Sequence, residues 1–354
     1  MSTDTTDPGV RPLPFLRGVR IVLALELAQR VRGVSSFVLL GLFFLLVGAV
    51  TGLLIVATGV FSGSDAVVGG WIYSILVYFV LLLGSLVTPA LSGTAVNGDR
   101  DAGTLATTQV TLVTTAQLVL GKFVSAWLVA LAFLASTVPF LIVAVLVGGV
   151  SFSSASVSVL VLAVQLGVVA AIGVGLSGIL DRPLMSVVTT YLVVAALSIG
   201  SLIAFGLLTA VTQTTQTTVY LDNDNGYCGD DYETKVPRAD YYWGLLALNP
   251  FVVLADAVPP RLGEFGSPED LFSGVSLLVR QSQIAPPAVV EISCTGGYTD
   301  SSVPRTAEEV FDRTVPSWFV GLALQLVLAV GLLLGAIRRT ATPAARLPRG
   351  RRVA

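Results

Sequence analysis

The chain has 354 residues, 54% of them hydrophobic and only 12% charged, with a mean hydropathy of +0.85; soluble domains carry about 25% charge, so most soluble folds are excluded. The net charge of -2 hides an asymmetry, with acidic residues gathered between 222 and 312 and Arg at both ends, and neither pole reads as a nucleic-acid site. Histidine is absent, which removes the usual general base and the commonest metal ligand, and two cysteines alone cannot build a Cys-type zinc site, so no catalytic and no metal-binding residue is assigned.

Residues 1–35 open the chain with Phe15, Leu16, Val19, Ile21, Val22, Leu23, Leu25 and Leu27 interspersed with Arg17, Arg20, Glu26, Arg30 and Arg32. This pattern predicts an amphipathic elbow helix lying in the membrane interface, its apolar side among acyl chains and its Arg residues against anionic headgroups. A helical extension of the first span is the alternative, and Gly33 favours a break.

A bilayer core about 30 Å thick needs about 20 apolar residues per helical crossing. Six runs meet that requirement, at 36–59, 72–96, 123–148, 157–180, 184–211 and 318–337. The fold class predicted is therefore an all-α integral membrane protein with six transmembrane helices, the first too long and too far from the start to be a cleaved signal. Basic residues flanking the spans set orientation. Arg100, Lys122, Arg182, the N-terminal Arg residues and the basic tail 338–354 all fall on one side if both termini are cytoplasmic. The short loops at 60–71 and 149–156 contain Asp65 and no basic residue.

Between the second and third spans lies 97–122, which carries Asp99, Arg100 and Asp101 and then a stretch of mixed polarity. Such a segment offers a lever on which a soluble partner can push; an ordinary solvated turn followed by a Thr-rich interfacial helix is the alternative reading. In the fourth span Gly173, Gly175, Ser177 and Gly178 cluster small side chains that let helices approach closely, either within the subunit or at a dimer or translocation seam.

The segment 212–316 is expected outside the cell. It begins with an acidic stretch (Asp222, Asp224, Asp230, Asp231 and Glu233) and passes through Tyr241, Tyr242 and Trp243, residue types that favour the headgroup level. Residues 245–258, broken by Asn249 and Pro250, are too short to cross and predict a re-entrant or interfacial helix, and a further short helix is expected at Pro268 to Gln281. Cys228 and Cys294 both fall in this segment, where oxidising conditions allow a disulfide. Closing a loop of roughly 67 residues would stabilise the segment by about 4 kcal/mol in the chain-entropy account; two free thiols are the alternative.

Gly98-Asp-Arg-Asp-Ala-Gly-Thr-Leu105 followed by Gly121-Lys122 resembles the ABC-2 type permease family, in which an acidic-Arg pair precedes Gly-Thr-Leu and then Gly-Lys. Pro89 and Leu248-Asn-Pro-Phe251 add to the likeness, as does the layout of elbow helix, six spans and re-entrant segment. The resemblance implies a dimer of permease subunits, homo- or heteromeric, in the plasma membrane. It also implies a cytoplasmic ABC ATPase that engages Asp99, Arg100, Asp101, Gly103, Thr104 and Leu105 within the contact region 99–117. ATP and magnesium would sit on that partner, and the cargo would be amphiphilic or hydrophobic and exported. The longer extracellular segment with its two cysteines departs from the family's minimum.

The chain has no phosphate-binding loop of its own. Before Lys122, Ala116 stands where the first Gly belongs and Phe123 where the hydroxyl belongs, and Lys235 lacks the adjacent Gly. Not an enzyme itself, it needs an ATPase partner under this reading. An ion-coupled secondary transporter is the chief rival, but it usually buries ionisable side chains within its spans, whereas Gln165 and Gln325 are the main polar residues there. A non-transporting membrane scaffold is the third possibility.

Overall fold

The computed structural model describes residues 14–61, 66–101, 113–221, 229–263, 266–293 and 306–341. Six helices are long and apolar enough to cross a membrane, covering Ser36–Gly59, Gly69–Asp101, Thr115–Val147, Phe152–Ile179, Pro183–Val211 and Trp318–Thr340. This is a mainly helical, multi-pass membrane protein.

Helix α1 (Phe15–Arg32) stops at Gly33, whose extended backbone breaks the helix before α2 (Val34–Phe61), the first span. It does not lie free of the bundle: Gly18 faces Gln117 and Val22 faces Gly121, two positions on the third spanning helix. The second span is α3 (Ala66–Ser92), continued through a turn into the short α4 (Asn97–Asp101). The third, α5 (Thr115–Gly148), begins two turns earlier than the apolar run at 123 predicts. Thr114 and Gln117 explain the early start, because their side chains cap each other's backbone N–H groups in a capping box.

Helix α6 (Phe152–Ile179) is the central span, with 72% of its most apolar window buried against 11% for the fifth span. Its small residues make that position possible. A Cβ on Gly173 would come within 2.0 Å of the Ser92 Oγ, one on Gly175 within 2.7 Å of Leu332, and one on Gly178 within 2.5 Å of Ala336. The small-residue cluster therefore packs the second and sixth spans against the fourth within one chain. The fifth span runs from α7 (Pro183–Ala195) through a π-helical segment at Ala196–Gly200 into α8 (Ser201–Val211).

Beyond α8 the chain departs from the all-α expectation. Gln213–Leu221 forms β1, Tyr232–Pro237 forms β2 and Val289–Ser293 forms β3, in a three-stranded sheet of order β2-β1-β3. β2 pairs antiparallel with β1 (Thr215↔Lys235) and β3 pairs parallel with it (Val219↔Glu291). Four threonines in β1 suit an extended, half-exposed strand, but the strand has no alternating apolar pattern to announce itself. The expected helix at 245–258 is two short ones, α9 (Trp243–Ala247) and α10 (Pro250–Ala257), and the one expected before Gln281 is α11 (Leu271–Gln281). α12 (Ala307–Arg313) then leads to α13 (Trp318–Thr340), the sixth span, which runs three residues past its predicted end.

Candidate functional site

Polar and charged side chains gather at both ends of the bundle. At the end that carries α1, the Lys122 side chain is 2% exposed and lies between two carboxylates, Glu26 of α1 and Asp99 of α4, the latter at 2.6 Å. Glycine at 121 lets the assembly close: a Cβ there would sit 2.7 Å from Val22, so α1 passes close enough for Glu26 to reach Lys122. The Gly-Lys pair thus has a physical division of labour, with one residue admitting the helix and the next neutralising its acid.

A second set of contacts adjoins the first. Arg100 pairs with Asp181, in the turn between the fourth and fifth spans, at 2.9 Å, and Arg339 at the end of the sixth approaches the same carboxylate at 3.4 Å. Ser177 of α6 accepts hydrogen bonds from the N–H groups of Val96 and Asn97 and donates to the Asn97 Oδ1 at 3.0 Å. Arg30 donates to the Leu91 carbonyl at 2.8 Å, and its burial pulls the guanidinium pKa down while Glu26 pushes it up. Asp99 and Arg100 therefore join α4 to Lys122 of α5 and to the 181 turn, Asn97 joins it to α6, and α1 is reached through Lys122, which also pairs with Glu26. Asp101 ends α4. Gly103, Thr104 and Leu105 lie outside the described residues, as do Cys228 and Cys294.

At the sheet-bearing end Asn249 and Pro250 stand together at the break between α9 and α10, as the residue types require. Pro250 takes the first turn, where its missing N–H costs nothing, and the Asn249 Oδ1 caps the Phe251 N–H at 2.9 Å. The other half of the Asn249 amide reaches the fifth span, donating to the Ser198 carbonyl at 2.5 Å and to the Ser201 Oγ at 3.1 Å. Ser198 belongs to the π-helical segment, whose wider turn displaces carbonyls from the regular ladder. Gln325 of the sixth span, 1% exposed, donates to the Leu248 carbonyl beside the same break.

Asp256 forms a hub that sequence reading did not single out. Its Oδ1 accepts from Ser276 Oγ and Arg280 Nε at 2.7 and 2.8 Å. Its Oδ2 accepts from the Ser317 backbone N–H, from the Ser317 hydroxyl at 2.9 Å and from the Trp318 N–H at 3.1 Å. A carboxylate thus sits on the N-terminus of the sixth span, where the helix dipole favours negative charge. Burial alone would raise the Asp256 pKa, but hydrogen bonds from Ser276, Arg280 and Ser317 and the Arg280 charge outweigh it and hold the carboxyl below its ordinary range. The signal in the sequence was a lone acid inside an apolar run, Phe251 to Val258.

Between these polar anchors lies a cavity of about 540 Å³, lined by Tyr78, Leu202, Phe205, Asn249, Val275 and Leu278 among others. No group of three or more His, Cys, Asp or Glu side chains placed to hold a metal occurs among the described residues. No protein-family model matches the chain, and no curated protein matches it.

Proposed function

We propose that this chain is the permease subunit of an ATP-binding-cassette transporter of the ABC-2 type, driven by a separate ATPase that engages residues 99–117. Both termini are cytoplasmic in this reading, a second permease subunit completes the pore, and an amphiphilic or hydrophobic cargo is exported across the plasma membrane. The direction of transport and the dimer come from the family resemblance alone.

The observation that supports it best is the bonding of α4. A lever must be fixed to what it moves, and Asp99, Arg100 and Asn97 tie this segment to α5, α6 and the 181 turn, with α1 joined through the Lys122 that Asp99 shares with Glu26. Displacement of α4 would reach α5 and α6 through buried or half-buried polar contacts, α1 through the shared Lys122, and the 181 turn through an exposed ion pair. Buried Lys122 between two carboxylates is also the kind of charge cluster that ion-coupled carriers use. It lies about 10 Å from the start of its helix, at 1.5 Å per residue, which favours a role at the end of the bundle over a midplane ion site.

The test is Asp99→Ala combined with Arg100→Ala in vesicles holding the chain with its ATPase. Nucleotide-dependent hydrogen exchange is read at 250–281, at the opposite end. The wild type should change its exchange on ATP addition, and the double variant should hydrolyse ATP with that change abolished. A double variant that responds like the wild type would overturn the lever.

A further inference from the structure

The cavity beside the fifth span has a lining chemistry that identifies its occupant. Its walls are Leu202 and Phe205 of α8, Val252 of α10, and Val275, Leu278 and Val279 of α11, with Tyr78 and Asn249 as its polar residues. The hydrogen-bond donors of both are already committed. The Tyr78 hydroxyl donates to the Phe251 carbonyl at 3.2 Å, and the Asn249 amide is held by the Ser198 carbonyl, the Ser201 hydroxyl and the Phe251 N–H. Ordered water needs two to four polar partners, and this lining offers no free side-chain donor. The volume falls within the roughly 300–1,000 Å³ typical of small-ligand sites.

Position supplies the rest of the argument. Leu202 lies about 14 Å from the end of its helix at Val211, well within a hydrocarbon core about 30 Å thick. Leu202 and Leu278, at the mouth, are 49% and 67% exposed, and the fifth span is the least buried of the six. The medium facing the opening is therefore lipid tail.

We propose that this cavity holds one acyl chain of a phospholipid from the leaflet on the sheet side, inserted between the fifth span and the α10–α11 pair. The site selects hydrocarbon and makes no headgroup contact. It fills the space between Leu202 and Phe205 of the fifth span and Val252, Val275 and Leu278 of α10 and α11. The proposal needs only the fifth span and the α10–α11 pair beside it, and stands whether or not an ATPase drives the protein.

The full chain is reconstituted into phosphatidylcholine and phosphatidylglycerol vesicles containing phosphatidylcholine with a mid-chain diazirine, irradiated, digested and mapped. Label is expected on the peptides of Phe205 and Val275. It should fall at least fivefold in Val275→Trp, which fills the cavity, and in Leu202→Trp, which blocks its mouth from an exposed position. Labelling near Leu45 and Val327, 68% and 70% exposed on other spans, should stay unchanged and serves as the control for folding. Equal labelling of the lining in wild type and in folded Leu202→Trp would overturn the proposal. So would a lining that stays unlabelled in the wild type while the peptides of Leu45 and Val327 are labelled.

Discussion

Replacing Lys122 by Met removes the positive charge and keeps the volume. Glu26 and Asp99 are left facing one another with 17% and 36% of their side chains exposed, whereas the Lys122 side chain was 2% exposed. Breaking a fully buried pair costs about 3–5 kcal/mol because the stranded charge stays desolvated. Asp99 keeps enough water that its share resembles a surface pair, worth up to about 1 kcal/mol. Glu26 is the more enclosed, so the expected loss for Lys122→Met is about 2–3 kcal/mol, while Asp99→Asn alone should cost less than about 1 kcal/mol. The stranded-charge argument makes a sharper forecast for the triple change Lys122→Met, Glu26→Gln and Asp99→Asn, which should recover most of the loss. Thermal unfolding in detergent gives the ranking, and hydrogen exchange across α1 shows whether that helix opens first. A triple variant no more stable than Lys122→Met alone would refute the electrostatic account and leave loss of packing as the cause.

Three further outcomes follow from the sheet-bearing end and the sixth span. The Asp256 carboxyl titrates below its ordinary value near 3.8, so its contribution is fully present above that pH and is lost as pH falls through the lower folded value. Resistance of α11 and of the start of α13 to proteolysis should therefore persist from neutral pH to about pH 4 and fail below it, and Asp256→Asn should remove that step and weaken resistance already at pH 7. A Cβ on Gly321 would fall 1.8 Å from the Ala247 carbonyl oxygen, whereas one on Gly331 meets nothing within 4 Å. Gly321→Ala should cost about 1–3 kcal/mol while Gly331→Ala is neutral or slightly stabilising, and equal melting temperatures for the two would refute the close approach of α13 to α9. Ser293 pairs with Leu221, and a Cβ on Gly229 would lie 3.3 Å from Tyr220. The residues adjoining Cys294 and Cys228 thus converge on the end of β1, and non-reducing mass spectrometry should recover a peptide linking the two cysteines rather than two alkylatable thiols.

The spans were readable because hydrocarbon tolerates so little else: runs such as Phe37 to Thr58 have one structural solution in a bilayer. Helix ends were less legible, since Thr115 to Lys122 is too polar to look like a span. That stretch is held in the helix by a capping box and by pairing of its lysine with residues 96 and 23 positions away in sequence. Asn249 and Pro250 carried a local signal, a helix cap and first-turn proline, and both act that way. The partner of Asn249 carried none, because the π-helical turn at Ala196–Gly200 has an ordinary apolar sequence. Asp256 was visible as an oddity, but its meaning depends on Arg280 and Ser317, which only the folded chain brings together. The sheet escaped for a similar reason. β1 is threonine-rich rather than alternating, and its parallel partner β3 lies about 70 residues downstream, beyond β2 and the short helices α9, α10 and α11.

The most direct test of the central claim is affinity isolation of the tagged chain from its native membrane in mild detergent after light cross-linking. Co-purifying proteins are identified and ATP hydrolysis is assayed. The account predicts a stoichiometric nucleotide-binding ATPase whose cross-links concentrate at 97–117. Isolation of the intact chain with no ATPase and no hydrolysis, cross-linked or not, would contradict it.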